Sequence, residues 1–222
     1  TCVVKVTRKS SHSSSSGSST TSANTVSAST ASNGKVSLDK STAKKGNTVT
    51  VTVTPDAGYQ LDKLTVTDAK GKTVDVTDKG NGKFTFTMPA DNVTLTADYK
   101  QLYDLTVTGG TIVGGNGDTG NYLPGTEVTI VFTESGDTTK QFEKWTYTGT
   151  APEEPDGGWT SENDKNSKTF TFKMPKGNVT LTAKCKTAYT LTVDGGRGSF
   201  TVNGAARTQA LEGETVTVKT SD

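Results

Sequence analysis

The feature that most constrains this chain is that it repeats itself. Phe84 to Val107 (FTFTMPADNVTLTADYKQLYDLTV) matches Phe170 to Val193 (FTFKMPKGNVTLTAKCKTAYTLTV) at 16 of 24 positions without a gap. A second, glycine-led element occurs three times: Gly46 to Thr54 (GNTVTVTVT), Gly125 to Thr133 (GTEVTIVFT) and Gly213 to Thr220 (GETVTVKT). The elements keep their order, so the chain reads as an array of like units, each a small module with its own core. The boundaries fall at 34–101 for the first module, 102–187 for the second and 188–222 for a truncated third. The chain begins at Thr1 and stops at Asp222 just after a strand-like run, and it reads as a piece of something longer.

Within a module the hydrophobic period is two. Val49, Val51 and Val53 alternate with threonines, as do Phe84, Phe86 and Met88 up to Pro89, and Val93, Leu95 and Ala97 after Asn92. Alternation of this kind places one face of a strand on a core and the other in water. Thr is about a fifth of the chain, an excess that suits pleated, half-buried surfaces. Leu61 to Thr67 and Thr73 to Thr77 flank Asp68-Ala-Lys-Gly71, which predicts a hairpin turning on Gly71. No stretch carries helix-capping signals. The expected fold is therefore all-β: tandem small antiparallel β-sandwich modules, with a β-grasp-like sheet as the alternative that would require a helix.

The alternation also predicts the core. In the first module Val36, Leu38, Val49, Val51, Val53, Tyr59, Leu61, Leu64, Val66, Val74, Val76, Phe84, Phe86, Met88, Val93, Leu95 and Ala97 carry it. In the second, Phe142 and Trp145 stand where Leu61 and Leu64 do, and Phe170, Phe172, Met174, Val179 and Leu181 repeat the closing pair.

Residues 9–33 hold twelve Ser and four Thr and almost nothing apolar, too little surface to bury against the entropy of ordering. They read as a flexible Ser/Thr-rich linker. Lys and Arg (24) nearly balance Asp and Glu (23), so no charge excess is on hand to neutralise a phosphate backbone, and nucleic acid is not an expected partner. No apolar run is long enough to span a membrane.

The residues for catalysis do not assemble. The single histidine, His12, sits among serines, and Cys2 and Cys185 lie in different segments with no base near either in sequence. No nucleophile, base and orienting group can be put together, and no metal or cofactor site is read. Glu153, Glu154 and Asp156, with Glu162 and Asp164 beyond them, lack the spacing and fixed glycine of a calcium loop. Asn92-Val-Thr and Asn178-Val-Thr fit the glycosylation triplet, but asparagine there is expected to bond nearby backbone in a turn. Trp145 falls on a core position. Trp159 lies in the polar, acidic insertion Pro152-Glu-Glu-Pro-Asp-Gly-Gly-Trp159 and is the candidate ligand contact, with Tyr147, Glu153, Glu154 and Asp156 beside it.

Taken together, the glycine-led strand, the Pro55-Asp-Ala-Gly-Tyr-Gln-Leu-Asp-Lys-Leu64 element and the Met-Pro-x-x-Asn-Val-Thr closing strand resemble the divergent internalin-type (InlB-like) B-repeat of bacterial cell-surface proteins. The second module adds Gly109-Gly110 and Phe142-Glu-Lys-Trp145 and departs from the pattern by the insertion between Gly149 and Lys168. Residues 1–8 are similar to the last strand of a bacterial group-two immunoglobulin-like domain. The resemblance implies a non-catalytic repeat region, extracellular at the surface or cell wall of a Gram-positive bacterium. Its role would be a stalk or spacer displaying other domains, or else an adhesion module in which the loop around Trp159 contacts cell-wall polymer, host protein or glycan.

Overall fold

The computed structural model describes residues 22–29, 32–115, 117–156, 158, 167–192 and 198–219. The expected immunoglobulin-like strand at 1–8, the linker residues up to 21, Trp159, Glu162 and Asp164 lie outside the described residues. Among those described there are strands and no helix, which removes the β-grasp alternative. The chain falls into two compact units, the first within residues up to 54 together with 61–98, the second from 55–60 together with 99 onward.

The first module has nine strands: β1 (Asn24–Ala28), β2 (Gly34–Leu38), β3 (Thr42–Ala43), β4 (Thr48–Pro55), β5 (Tyr59–Asp68), β6 (Thr73–Val74), β7 (Val76–Gly80), β8 (Lys83–Thr87) and β9 (Val93–Gln101). They form two sheets, ordered β3-β1-β9-β5-β6 and β2-β4-β8-β7. The period-two pattern does what it predicts: Val49, Val51 and Val53 of β4, Phe86 of β8, and Val93, Leu95 and Ala97 of β9 are all buried. Val36, Leu38, Tyr59, Leu61, Leu64, Val74, Val76 and Phe84, also expected in the core, are only half-buried. The predicted hairpin forms, with Gly71 at φ +81° and the Asp68 carboxylate accepting backbone N–H bonds from Lys70 and Lys72 at 2.9 Å each. Its second arm is split, however. Thr73 and Val74 pair with β5, and from Val76 the chain crosses to the other sheet and pairs with β8.

The start of this module corrects the sequence reading. Residues 24–28 were expected inside the linker, yet β1 lies between β3 and β9 and Val26 is only 4% exposed. Its own composition is too poor to announce a strand. What makes it one is pairing on both edges, antiparallel to β3 and parallel to β9, a tertiary effect that outweighs local propensity.

The second module repeats the plan with β10 (Tyr103–Thr108), β11 (Gly110–Ile112), β12 (Thr119–Tyr122), β13 (Glu127–Phe132), β14 (Lys140–Gly149), β15 (Thr169–Lys173) and β16 (Val179–Thr190). One sheet runs β12-β10-β16-β14, the other β11-β13-β15. Leu105, Val107, Val179 and Leu181 from the first meet Ile112, Val128, Ile130, Phe132, Phe170 and Phe172 from the second in a single core. Two sheets sharing a core in this way make a sandwich. Here too the module's first and last strands pair in parallel, Leu105 opposite Val179 through Thr108 opposite Thr182. Every other pairing within the two modules for which a register is resolved is antiparallel.

The last strands are β17 (Ser199–Val202), β18 (Ala205–Ala206), β19 (Gln209–Leu211) and β20 (Val216–Lys219). β16 does not stop at the edge of the second module: Ala188, Tyr189 and Thr190 run on to pair with Leu211, Ala210 and Gln209 of β19. One unbroken strand thus closes one module and opens the next.

Candidate functional site

Trp145 belongs to the core, as its position predicts. It is 8% exposed, its ring centroid lies 5.5 Å from that of Phe142, and its indole N–H donates to the Ser167 carbonyl at 3.1 Å. The Gly109-Gly110 pair is part of the same arrangement. A Cβ on Gly110 would stand 2.5 Å from Trp145 Cη2 and 2.6 Å from the Val131 carbonyl oxygen, so the large ring is housed by the missing side chain.

The acidic insertion leaves β14 at Gly149, whose φ of +86° turns the chain beside Asn178. Thr150 N–H donates to the Asn178 carbonyl at 2.9 Å. Glu153 then contributes its backbone: its N–H donates to Lys173 O at 3.1 Å and its carbonyl accepts from Lys173 N–H at 2.9 Å, a bridge on the outer edge of β15. The Asp156 carboxylate pairs with the Lys173 ammonium, and Gly158 N–H donates to Pro155 O at 2.9 Å in a turn. At the far end the insertion is tied down again by the bond from Trp145 to Ser167.

The structure therefore brings Glu153 and Asp156 together at Lys173 and leaves the Glu154 side chain in solvent. Tyr147, on the edge strand β14, is 54% exposed. Among the described residues no hydrogen bond joins Tyr147 to the acidic side chains, and no group of three His, Cys, Asp or Glu is placed to hold a metal. What the described residues offer is an anionic loop pinned on β15 and, on β14, an exposed aromatic ring.

Two residues do more than the sequence suggested. Asn92 and Asn178 were expected to bond nearby backbone. Instead Asn92 Oδ1 accepts from Thr25 N–H at 2.8 Å, and Asn178 Oδ1 accepts from Asp104 N–H at 3.0 Å, 67 and 74 residues away. Asn178 Nδ2 also donates to the Asp104 carboxylate at 3.4 Å, and that carboxylate is held in turn by Asn121 Nδ2. In both modules the asparagine of the Met-Pro-x-x-Asn motif fastens the start of the first strand to the start of the last. Its recurrence at one offset in both modules was the available signal.

A family model for the divergent InlB B-repeat domain matches residues 24–102 and again 103–188, about three quarters of the chain. The first match begins at the first residue of β1, in accord with the corrected start of that module. No curated protein and no solved structure matches the chain.

Proposed function

Because the chain belongs to the divergent InlB B-repeat domain family, we propose that it is a non-catalytic, load-bearing spacer of an extracellular bacterial surface protein. The observation that carries this is the parallel pairing of the first and last strands in each module, β1 with β9 and β10 with β16. In a parallel pair the N-terminal end of one strand and the C-terminal end of the other lie at opposite ends of the ladder. Tension applied along the chain slides such strands past each other and loads all their hydrogen bonds together. Antiparallel terminal strands would peel apart one bond at a time. The asparagine clamps sit at the point where the load enters, and β16 passes tension from the second module into the following strands through continuous backbone.

Single-molecule force spectroscopy on the chain held by its two ends tests this. Discrete, high-force unfolding events are expected for the two modules, with Asn178→Ala lowering the force of one and leaving the other unchanged. Smooth extension without force peaks would sink the reading.

A second reading, contact with cell-wall polymer or with a host protein or glycan, is favoured by one observation: the insertion absent from the first module is pinned on β15 while Tyr147 stays exposed. Binding to a glycan array that is lost in Trp159→Ala and Tyr147→Ala supports it. Equal binding by wild type and variants removes it.

A further inference from the structure

The sheet β12-β10-β16-β14 has one face on the core and one turned away from it. Leu105, Val107, Val179 and Leu181 are buried, so the residues that alternate with them, Thr106, Thr108, Thr180 and Thr182, stand on the outer face. Register sets these in two rungs, Thr106-Thr180-Thr148 and Thr108-Thr182-Thr146, each crossing three neighbouring strands. Strand geometry puts neighbours within a rung about 4.8 Å apart and the two rungs about 6.7 Å apart. The Thr146 hydroxyl donates to the Thr182 carbonyl at 3.1 Å, and the other hydroxyls of the rungs have no protein partner among the described residues.

The next rung of the same face is charged. Lys144 stands directly opposite Lys184, and both are exposed. Neither is in an ion pair among the described residues, and the carboxylate of Glu143, next to Lys144 in the chain, pairs with Lys186 at 3.3 Å. Like charges directly opposite each other destabilise a sheet, and opposite charges stabilise it. The first module has the favourable version: at the same places of the repeat it carries Lys63 and Asp98, while keeping Thr65, Thr67, Thr94 and Thr96 for the rungs. A single repeat position, Asp98 in one module and Lys184 in the other, turns attraction into repulsion. That repulsion relaxes when an anion lies between the two ammonium groups. Ammonium groups are point charges that meet tetrahedral phosphate oxygens from separate sides, whereas a planar carboxylate is best matched by the fork of an arginine. Threonine hydroxyls donate and accept, which suits sugar or polyol hydroxyls. None of these rung positions is aromatic, so nothing on them stacks a nucleobase.

We propose that this outer face binds an anionic cell-wall polymer whose sugar or polyol units are joined by phosphodiesters. One phosphate sits between Lys144 and Lys184, and the hydroxylated units beside it run over the threonine rungs. The site is distinct from the candidate loop: that loop is pinned on β15 in the other sheet, and Tyr147, opposite Leu181, is on the core side of β14. The proposal rests on the extracellular reading of the chain, and on neither the load-bearing role nor the loop contact.

The test titrates the whole chain into a short, fluorescent glycerol phosphate oligomer, followed by anisotropy, with amide chemical shifts read in parallel. Saturable binding that weakens as salt rises is expected, with the shift changes concentrated at Lys144, Thr146, Thr182 and Lys184. Lys184→Asp, which restores the pair of the first module, should weaken binding roughly tenfold or more, while the second module melts at the same temperature or higher. Thr108→Val combined with Thr180→Val, which removes two hydroxyls at nearly constant shape, should weaken it by a smaller factor. Tyr147→Ala should bind as the wild type does. Absence of saturable binding, unchanged affinity in Lys184→Asp or in the threonine variant, or equal binding of a carboxylated glycan or of single-stranded DNA overturns the proposal. Binding lost in Tyr147→Ala and kept in Lys184→Asp also overturns it and leaves the loop reading standing. The extracellular reading fails separately, when a membrane-impermeant label does not reach the chain on intact cells.

Discussion

Asn92 and Gly110 show how much one side chain, or the lack of one, decides in these modules. The Asn92 amide oxygen holds Thr25 N–H at 2.8 Å across the parallel pair. Asn92→Ala removes that acceptor and should cost the first module about 1 kcal/mol in urea denaturation, while Asn92→Asp, which keeps an acceptor in place, should retain most of it. At Gly110 the issue is space. A methyl group would meet both the Trp145 ring and the Val131 carbonyl, and Gly110→Ala should destabilise the second module by about 1–3 kcal/mol. Gly114→Ala is the control: nothing lies within 4 Å, so only the strain of its φ of +72° is felt, and the loss should be near 1 kcal/mol. Thermal melts of the four variants order these effects. The glycine pair was visible in the sequence, but its reason was not, because the residue it makes room for is 35 positions away.

At the scale of elements, alternation located the core-bearing strands β4, β8, β9, β13, β15 and β16, because each faces one core with one set of side chains. β1 escaped, since a strand held on both edges needs little hydrophobicity of its own. The split of the hairpin arm into β6 and β7 escaped too, because moving from one sheet to the other between Val74 and Val76 changes partners without changing the local pattern. β16 offers a test of continuity. Ala188 N–H donates to Thr139 O at 2.7 Å within the strand that leads to β19. Ala188→Pro deletes that donor, and proline is poorly tolerated inside a paired strand. Amides of Gln209–Leu211 should then exchange much faster while those of Val179–Ala183 remain protected. Unchanged exchange at β19 would show that the continuity of β16 is not what holds it.

For the whole molecule, the two units carry separate cores, and both tryptophans lie in the second. Tryptophan fluorescence therefore reports on one unit, and circular dichroism on both. Val51→Ala, at a fully buried site, should lower stability by roughly 2 kcal/mol in the dichroism curve and leave the fluorescence midpoint in place. Phe172→Ala should shift both, by about 3–5 kcal/mol. A single transition in which either substitution moves both signals equally would mean that the units unfold as one, against the behaviour usual for chains of several domains.

Repetition, alternation and threonine content are properties of the chain read in order, and by themselves they determined the modular array, the all-β class and most of the buried side chains. The candidate loop was also legible, because an insertion shows against its repeat, although Lys173 as the residue that binds Glu153 and Asp156 to β15 did not. Tertiary structure alone decided which strands lie side by side: β1 with β9, β10 with β16, and β16 with β19. Those pairings rest on backbone groups, which every residue but proline carries alike, and they join residues too far apart for any local pattern to record.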